Sequence, residues 1–271
     1  NKDRSGQAGA SELLINPWAR STGWGSVNVA AVRGLEGIWT NVAGTAFTQK
    51  TELIFAHTNY LSGSDVNINA FGFSQRVGES GSFSLAVMSM AFGDVDITTV
   101  DQPEGGIGTF SPNLLNINMA YAKAFSNSIY GGLNVKIISE SIADISAQGI
   151  ALDAGIQYVT GVAENIKFGI TLKNIGPTMR FSGDGLSFRG FIPGQSSQFT
   201  VEQRSEDFEL PSALAIGVAY DFLFDQESRL TLAGNFQSNS FTKDQFMLGA
   251  EYSFREVLLL RAGYTYEDGL L

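Results

Sequence analysis

The 271-residue chain contains no cysteine and a single histidine, His57. Thiolate chemistry is excluded, and so is a metal site built on several imidazoles. A hydrolytic Ser-His pair would have to use His57, which falls inside a strand-like segment with no Gly-x-Ser-x-Gly turn anywhere, so no catalytic residue is expected and His57 is read as a lumen-facing or rim polar residue. No run approaches the roughly 18 consecutive apolar residues of a membrane helix, and any membrane role must therefore use strands. Basic residues are scarce, 17 against 27 acidic ones, and the net charge of -10 argues against nucleic acid as a partner. No basic, apolar signal peptide opens the sequence at Asn1, which leads to the expectation of an exported chain whose targeting segment has been removed.

Glycine and aromatics are plentiful: 31 Gly, 20 Phe and 8 Tyr, with only 16% charged residues. That balance favours an all-β chain with many turns. A membrane-barrel strand needs about 9–11 residues that alternate lipid-facing apolar side chains with polar or small ones. Leu133, Val135 and Ile137 alternate with Gly132, Asn134 and Lys136. Leu115, Ile117, Met119 and Tyr121 alternate with Asn116, Asn118 and Ala120, and Ile150, Leu152, Ala154, Ile156 and Tyr158 with Ala151, Asp153 and Gln157. The pattern continues through segments beginning at Ile166, Leu214, Leu230, Phe246 and Leu258. Charges within these strands, including Lys136, Asp153, Lys167, Asp221, Glu251 and Arg261, are expected on the non-lipid face, none on the apolar one. A lipid-facing Lys or Arg near the midplane would cost about 2–4 kcal/mol. A soluble sandwich would alternate too, but its strands average about 5–6 residues. Here the segments are longer and finish in aromatics such as Phe125, Tyr158, Phe222, Phe254 and Tyr266, as interfacial girdles do.

Three less regular segments, Glu52–Tyr60, Val66–Arg76 and Ser82–Phe92, bring the expected total to about eleven strands. Short connections after Arg76, Phe125, Phe224 and Phe254 read as periplasmic turns. Gly93–Pro112, Ser139–Ser146 and Gly176–Glu209 read as longer extracellular loops. By this parity Asn1 starts in the periplasm, and an open edge after Tyr266 leads to the expectation that closing strands are missing from this chain. Residues 1–50 are expected to form a periplasmic or plug segment, with a short helix over Val29–Glu36, and residues 51–271 the barrel. Trp18, Trp24 and Trp39, the only tryptophans, favour an ordered plug over a disordered leader.

The acidic loop residues Asp94, Asp96, Asp101 and Glu104 miss the EF-hand spacing and read as solvated charge, so neither metal nor cofactor is expected. Gly105-Gly106-Ile107-Gly108 lacks the strand-to-helix context of a phosphate loop. The connection Gly176–Glu209 carries Phe181, Leu186, Phe188, Phe191, Ile192 and Phe199, an unusual load for a solvated loop. Phe188, Phe191, Ile192 and Phe199 are the candidate partner-binding residues; the alternative is a lid folded over the lumen.

The stretch from Gly34 to Phe47 resembles the Asn-Pro-Ala-Gly segment of FadL-type fatty-acid transporters, with Asn41, Ala43 and Gly44 matching and Val42 in place of proline. Together with Ala10–Pro17, Gln49–Leu53 and the strand layout, the chain is similar to the PorV family, outer-membrane barrels of the type IX secretion system. The resemblance implies a transmembrane antiparallel β-barrel of the FadL-like kind, with about fourteen strands in the full protein. It also implies a non-enzymatic role in the cell outer membrane. The partners would be a SprA-type translocon barrel, a PorU-type attachment protein, the C-terminal domains of secreted cargo, and outer-membrane lipid. A FadL relative would instead pass hydrophobic small molecules; the polar Asn116, Asn118, Lys136, Asp153 and Gln157 argue against such an apolar route.

Overall fold

The computed structural model describes residues 4, 6–191 and 198–267. Eleven strands form one antiparallel sheet in which each strand of the wall pairs with the next: β1 (Thr51–Asn59), β2 (Asn67–Val77), β3 (Gly81–Ala91), β6 (Asn113–Ala124), β7 (Ile129–Ile142), β8 (Ile145–Thr160), β9 (Ile166–Ile175), β12 (Ala213–Leu223), β13 (Ser228–Asn239), β14 (Gln245–Phe254) and β15 (Leu258–Glu267). Two hairpins stand outside it, β4 (Val95–Asp96) with β5 (Thr109–Phe110) and β10 (Ser187–Phe191) with β11 (Gln198–Glu202). The eleven expected strands form where alternation places them, and their outer face is the apolar one. Leu133, Ile156, Ile170 and Leu248 are all exposed. The inner face carries the polar set, with Asn134, Lys136, Asp153, Gln157 and Glu251 all buried. In a bilayer the apolar face meets hydrocarbon, and strand pairing satisfies the backbone within it.

The segment before β1 runs through the inside of the curled sheet. Trp18, Ile38, Trp39 and Val42 pack with Val66, Ile68, Ala70, Met88 and Met90 from β2 and β3 and the residue before them. Trp24, Val27 and Ala30 pack with Ala219, Ala233 and Met247 from β12, β13 and β14. This accounts for the weak alternation of β2 and β3: their inner faces meet an apolar segment rather than a polar lumen, so both faces are apolar.

Four expectations need correction. Residues 8–15 lie at the end of the long connections, where Ala8 bridges Glu209 and Leu13 packs with Ile138, Met179 and Leu210. The chain then descends inside the sheet to enter β1 at the opposite end, so residues 8–15 do not lie at the short-turn end; Asn1 itself lies outside the described residues. No loop spans Ser139–Ser146, because β7 and β8 continue to Ile142 and Ile145, leaving a two-residue turn with Ala143 at φ 49°. Polar Ser139, Glu140 and Ser141 had masked the strand. The helix expected over Val29–Glu36 does not form; the nearest helix is Gly37–Thr40. The carbonyls of Val29 and Val32, which a continuing helix would use internally, accept hydrogen bonds from wall side chains, so tertiary contacts override propensity. Finally, one charge lies on the apolar face: Lys123 shares the outward register of Met119 and Tyr121 on β6.

Candidate functional site

The sequence motif Asn41–Gly44 lies wholly inside the molecule, where Asn41, Ala43 and Gly44 are all buried. Asn41 joins three segments. Its Nδ2 donates to the carbonyls of Val29 at 2.9 Å, Ile156 on β8 at 3.1 Å and Ile170 on β9 at 3.4 Å. Its Oδ1 accepts from the backbone N–H of Ala43 at 3.1 Å, capping the short 3-10 helix Val42–Phe47. An amide, with both donors and an acceptor, suits this crossing in a way that neither Asp nor Leu would.

The wall is shaped to receive it. A Cβ placed at Gly155 would lie 2.1 Å from Asn41 Oδ1, and one at Gly169 would lie 2.4 Å from the Val29 carbonyl oxygen. These glycines form a slot in which backbone meets backbone. Wall side chains then satisfy the inner segment's carbonyls. Gln157 Nε2 donates to Val29 and Val32 at 3.1 Å each, Ser82 Oγ to Thr45 at 2.7 Å, and Lys173 Nζ to Trp39 at 3.0 Å. Glu52 accepts from the backbone N–H of Leu35 at 2.7 Å. The alternation pattern marked Gly132 and Gln157 only as non-lipid residues; their part in receiving the inner segment depends on strand register and was invisible in sequence.

A β-bulge adds to this. Leu152 pairs with Ile175 and Ala154 with Leu172, so Lys173 and Asn174 both oppose Asp153. Asn174, at φ 59°, accepts from Lys136 Nζ at 2.6 Å while its N–H donates to Asp153 at 2.7 Å. Lys136 and Asp153 form a buried ion pair at 2.8 Å, and Lys167 and Asp221 form another at 2.6 Å. Two cavities flank the inner segment. One, of about 440 Å³ at the short-turn end, is lined by Arg20, Arg33, Glu36, Lys167, Asp221 and Glu251. The other, of about 380 Å³ toward the long connections, is lined by Asn16, Thr40, Lys173, Gln237 and Asn239 among others. Burial pushes the Glu36 carboxyl above the usual carboxylate range. Burial also pushes Glu12 up to about 7, with the neighbouring Glu140 carboxylate acting in the same direction.

The long connection between β9 and β12 divides in two. Its base folds inward: Phe181 stacks at 5.6 Å on Phe208, and both pack on the cluster of Met179, Leu210 and Leu13. Its outer part is the β10–β11 hairpin, where Phe188 is 53% and Phe199 36% exposed. Pairing of Phe188 with Val201 and Gly190 with Phe199 puts these rings on one face. Phe191 is paired with Gln198, and Ile192 lies outside the described residues. His57 lies on the outward register of β1 and is bonded through Nδ1 to Asn69 Oδ1 at 2.8 Å, at the rim rather than in the lumen. Asp94, Asp96, Asp101 and Glu104 are exposed, and among the described residues no group of three or more His, Cys, Asp or Glu is arranged to hold a metal.

Comparison with known proteins agrees with this architecture. The monoaromatic hydrocarbon channel CymD superposes with a TM-score of 0.56 at 12% identity, over 94% of this chain and 85% of that one. The Pseudomonas putida toluene transporter TodX superposes with a TM-score of 0.53 at 11% identity, over 100% and 86%. At such identities these likenesses establish the FadL-like barrel fold of outer-membrane channels and nothing further. No curated protein matches the chain. A family model described as "Type IX secretion system protein PorV" matches residues 1–241. With that match spanning both the inner segment and most of the wall, the chain belongs to the PorV family of type IX secretion system outer-membrane proteins.

Proposed function

We propose that this protein is a non-catalytic, protein-binding member of the type IX secretion apparatus. It docks on a SprA-type translocon barrel, accepts secreted cargo through the cargo's C-terminal domain, and hands it to a PorU-type attachment protein. The observation that carries this reading is the β10–β11 hairpin, which stands apart from the wall sheet with Phe188 and Phe199 exposed on one face. Aromatic rings held out on a hairpin supply contact area at small entropic cost, and such rings are enriched where partners bind. The inner segment acts as a plug: it fills the middle of the lumen between two separate cavities, the one at the short-turn end lined mainly by charged groups and the other mixing amide and hydroxyl groups with Leu14, Val29, Trp39 and Met247. A route for hydrophobic molecules needs a continuous apolar path, so this lining favours the protein-binding role over a channel for such molecules.

The test is co-purification of the translocon from outer membranes with the wild type and with Phe188→Asp/Phe199→Asp. Loss of recovery by about tenfold or more is expected, since a hot-spot aromatic contributes about 2 kcal/mol or more. Unchanged recovery, with tryptophan emission identical to wild type, would sink the docking role of the hairpin.

A further inference from the structure

Among the described residues of the eleven wall strands, Lys123 is the only Lys, Arg, Asp or Glu in the outward register. It is exposed, and its ammonium makes no hydrogen bond or ion pair with any described residue. Its neighbour in register on β7 is Gly131, which pairs on its other side with Ile156 of β8, which in turn pairs with Ile170 of β9. The row Lys123–Gly131–Ile156–Ile170 therefore crosses the outer face, and the Phe125 ring covers Gly131, its Cε2 2.9 Å from the place a Cβ would take. A groove of about 590 Å³ opens beside that ring, lined by Tyr121, Phe125, Leu133, Ile156, Ile170 and Leu172. Behind it the wall is thin, because Gly132 and Gly155 also lack side chains where the plug residues Val42 and Asn41 approach from inside.

We infer that this groove holds one glycerophospholipid, with an acyl chain lying against Ile156 and Ile170 beside the Phe125 ring and the phosphate held by Lys123. The site sits beside the short turn at Ser126–Ser128, at the end we read as periplasmic, where the leaflet is that of phospholipids. A cation facing hydrocarbon is costly unless its stem carries the ammonium to the headgroup level, and there an anionic phosphate is its natural counterion. An apolar groove left unfilled forfeits its dispersion contacts, and a flexible chain restores them. One cation at the edge of an apolar groove matches one headgroup and its chain. It gives a protein partner no further polar feature to read.

Native mass spectrometry of the purified protein in non-ionic detergent, titrated with palmitoyl-oleoyl phosphatidylglycerol, tests this. One lipid is expected to be retained per protein, in preference to phosphatidylcholine with the same chains. Lys123→Gln should lower that occupancy about fivefold. Ile156→Phe, which adds bulk in the groove and leaves the charge in place, should lower it comparably. Both positions face away from the tryptophan-bearing plug, so unchanged tryptophan emission certifies folding. Equal retention by the wild type and both variants would mean unspecific annular lipid and overturn the proposal. A Lys123-dependent adduct with inorganic phosphate that a lipid does not outcompete would overturn it as well. A photoreactive residue in place of Leu133 should label lipid in intact outer membranes; exclusive cross-linking to a protein would assign the groove to a partner instead.

Discussion

Asn41 concentrates several functions in one side chain, since it ties the plug to itself and to two wall strands through hydrogen bonds to the carbonyls of Val29, Ile156 and Ile170. Truncation to alanine leaves buried groups without a partner, at a cost of about 1–3 kcal/mol. Trp18, Trp24 and Trp39 all lie buried in the inner segment, so intrinsic fluorescence reports on this segment specifically. Asn41→Ala is expected to shift the urea midpoint of the tryptophan transition downward while the strand signal in far-UV circular dichroism stays intact. Gly155→Val should do the same from the wall side, because its Cβ would fall on Asn41 Oδ1. A midpoint unchanged in both variants would remove Asn41 from the role assigned to it.

The pairing of β7, β8 and β9 is where strand geometry and charge meet. The bulge in β9 turns Lys173 and Asn174 toward the inside together, and Asn174 then joins Lys136 and Asp153 into one network. Breaking such a buried pair by removing one partner leaves an uncompensated charge, typically about 3–5 kcal/mol, whereas replacing both partners by apolar groups is far less harmful. Asp153→Ala should therefore lower the urea midpoint of the folded barrel strongly. Lys136→Met/Asp153→Leu should recover most of the loss. Equal destabilisation of single and double variants would show that the pair's hydrogen-bond partners, and not its charges, dominate.

At the scale of the whole molecule, the early residues are fastened to the end of the sheet remote from the start of β1, and Glu12 is the ionisable group of that fastening. It faces Glu140 of β7 and Asn116 of β6, and among the described residues no cation offsets the two carboxylates. Its carboxyl is raised to about 7 from an ordinary value of 4.5, so the docked state holds a proton that the released segment would give up. The contribution is fully present below about pH 4.5 and is lost as pH rises through about 7. Plug docking, read from the urea midpoint of tryptophan emission, should be firmer at pH 5 than at pH 8. Glu12→Gln should flatten that dependence; a wild-type profile already flat between these values would contradict it.

Much of this was legible in the sequence because a strand has a side-chain period of two. Alternation alone located eleven strands, assigned their apolar face to lipid, and placed Lys136, Asp153, Lys167 and Glu251 on the other. The stretch Asn41–Gly44 could be singled out in the sequence too, and so could the aromatic load of the long connection, of which Phe188 and Phe199 are exposed. What sequence left undecided were contacts between residues far apart in the chain. The slot at Gly155 and Gly169, the carbonyl-directed Gln157, the descent of the early residues from the far end, and the position of Lys123 beside a groove lined by Ile156 and Ile170 all depend on register between strands. Periodicity is a local property of one strand, whereas register and curvature are fixed only when strands pair and the inner segment packs against them, and that is why the barrel could be read from the chain and its lock could not.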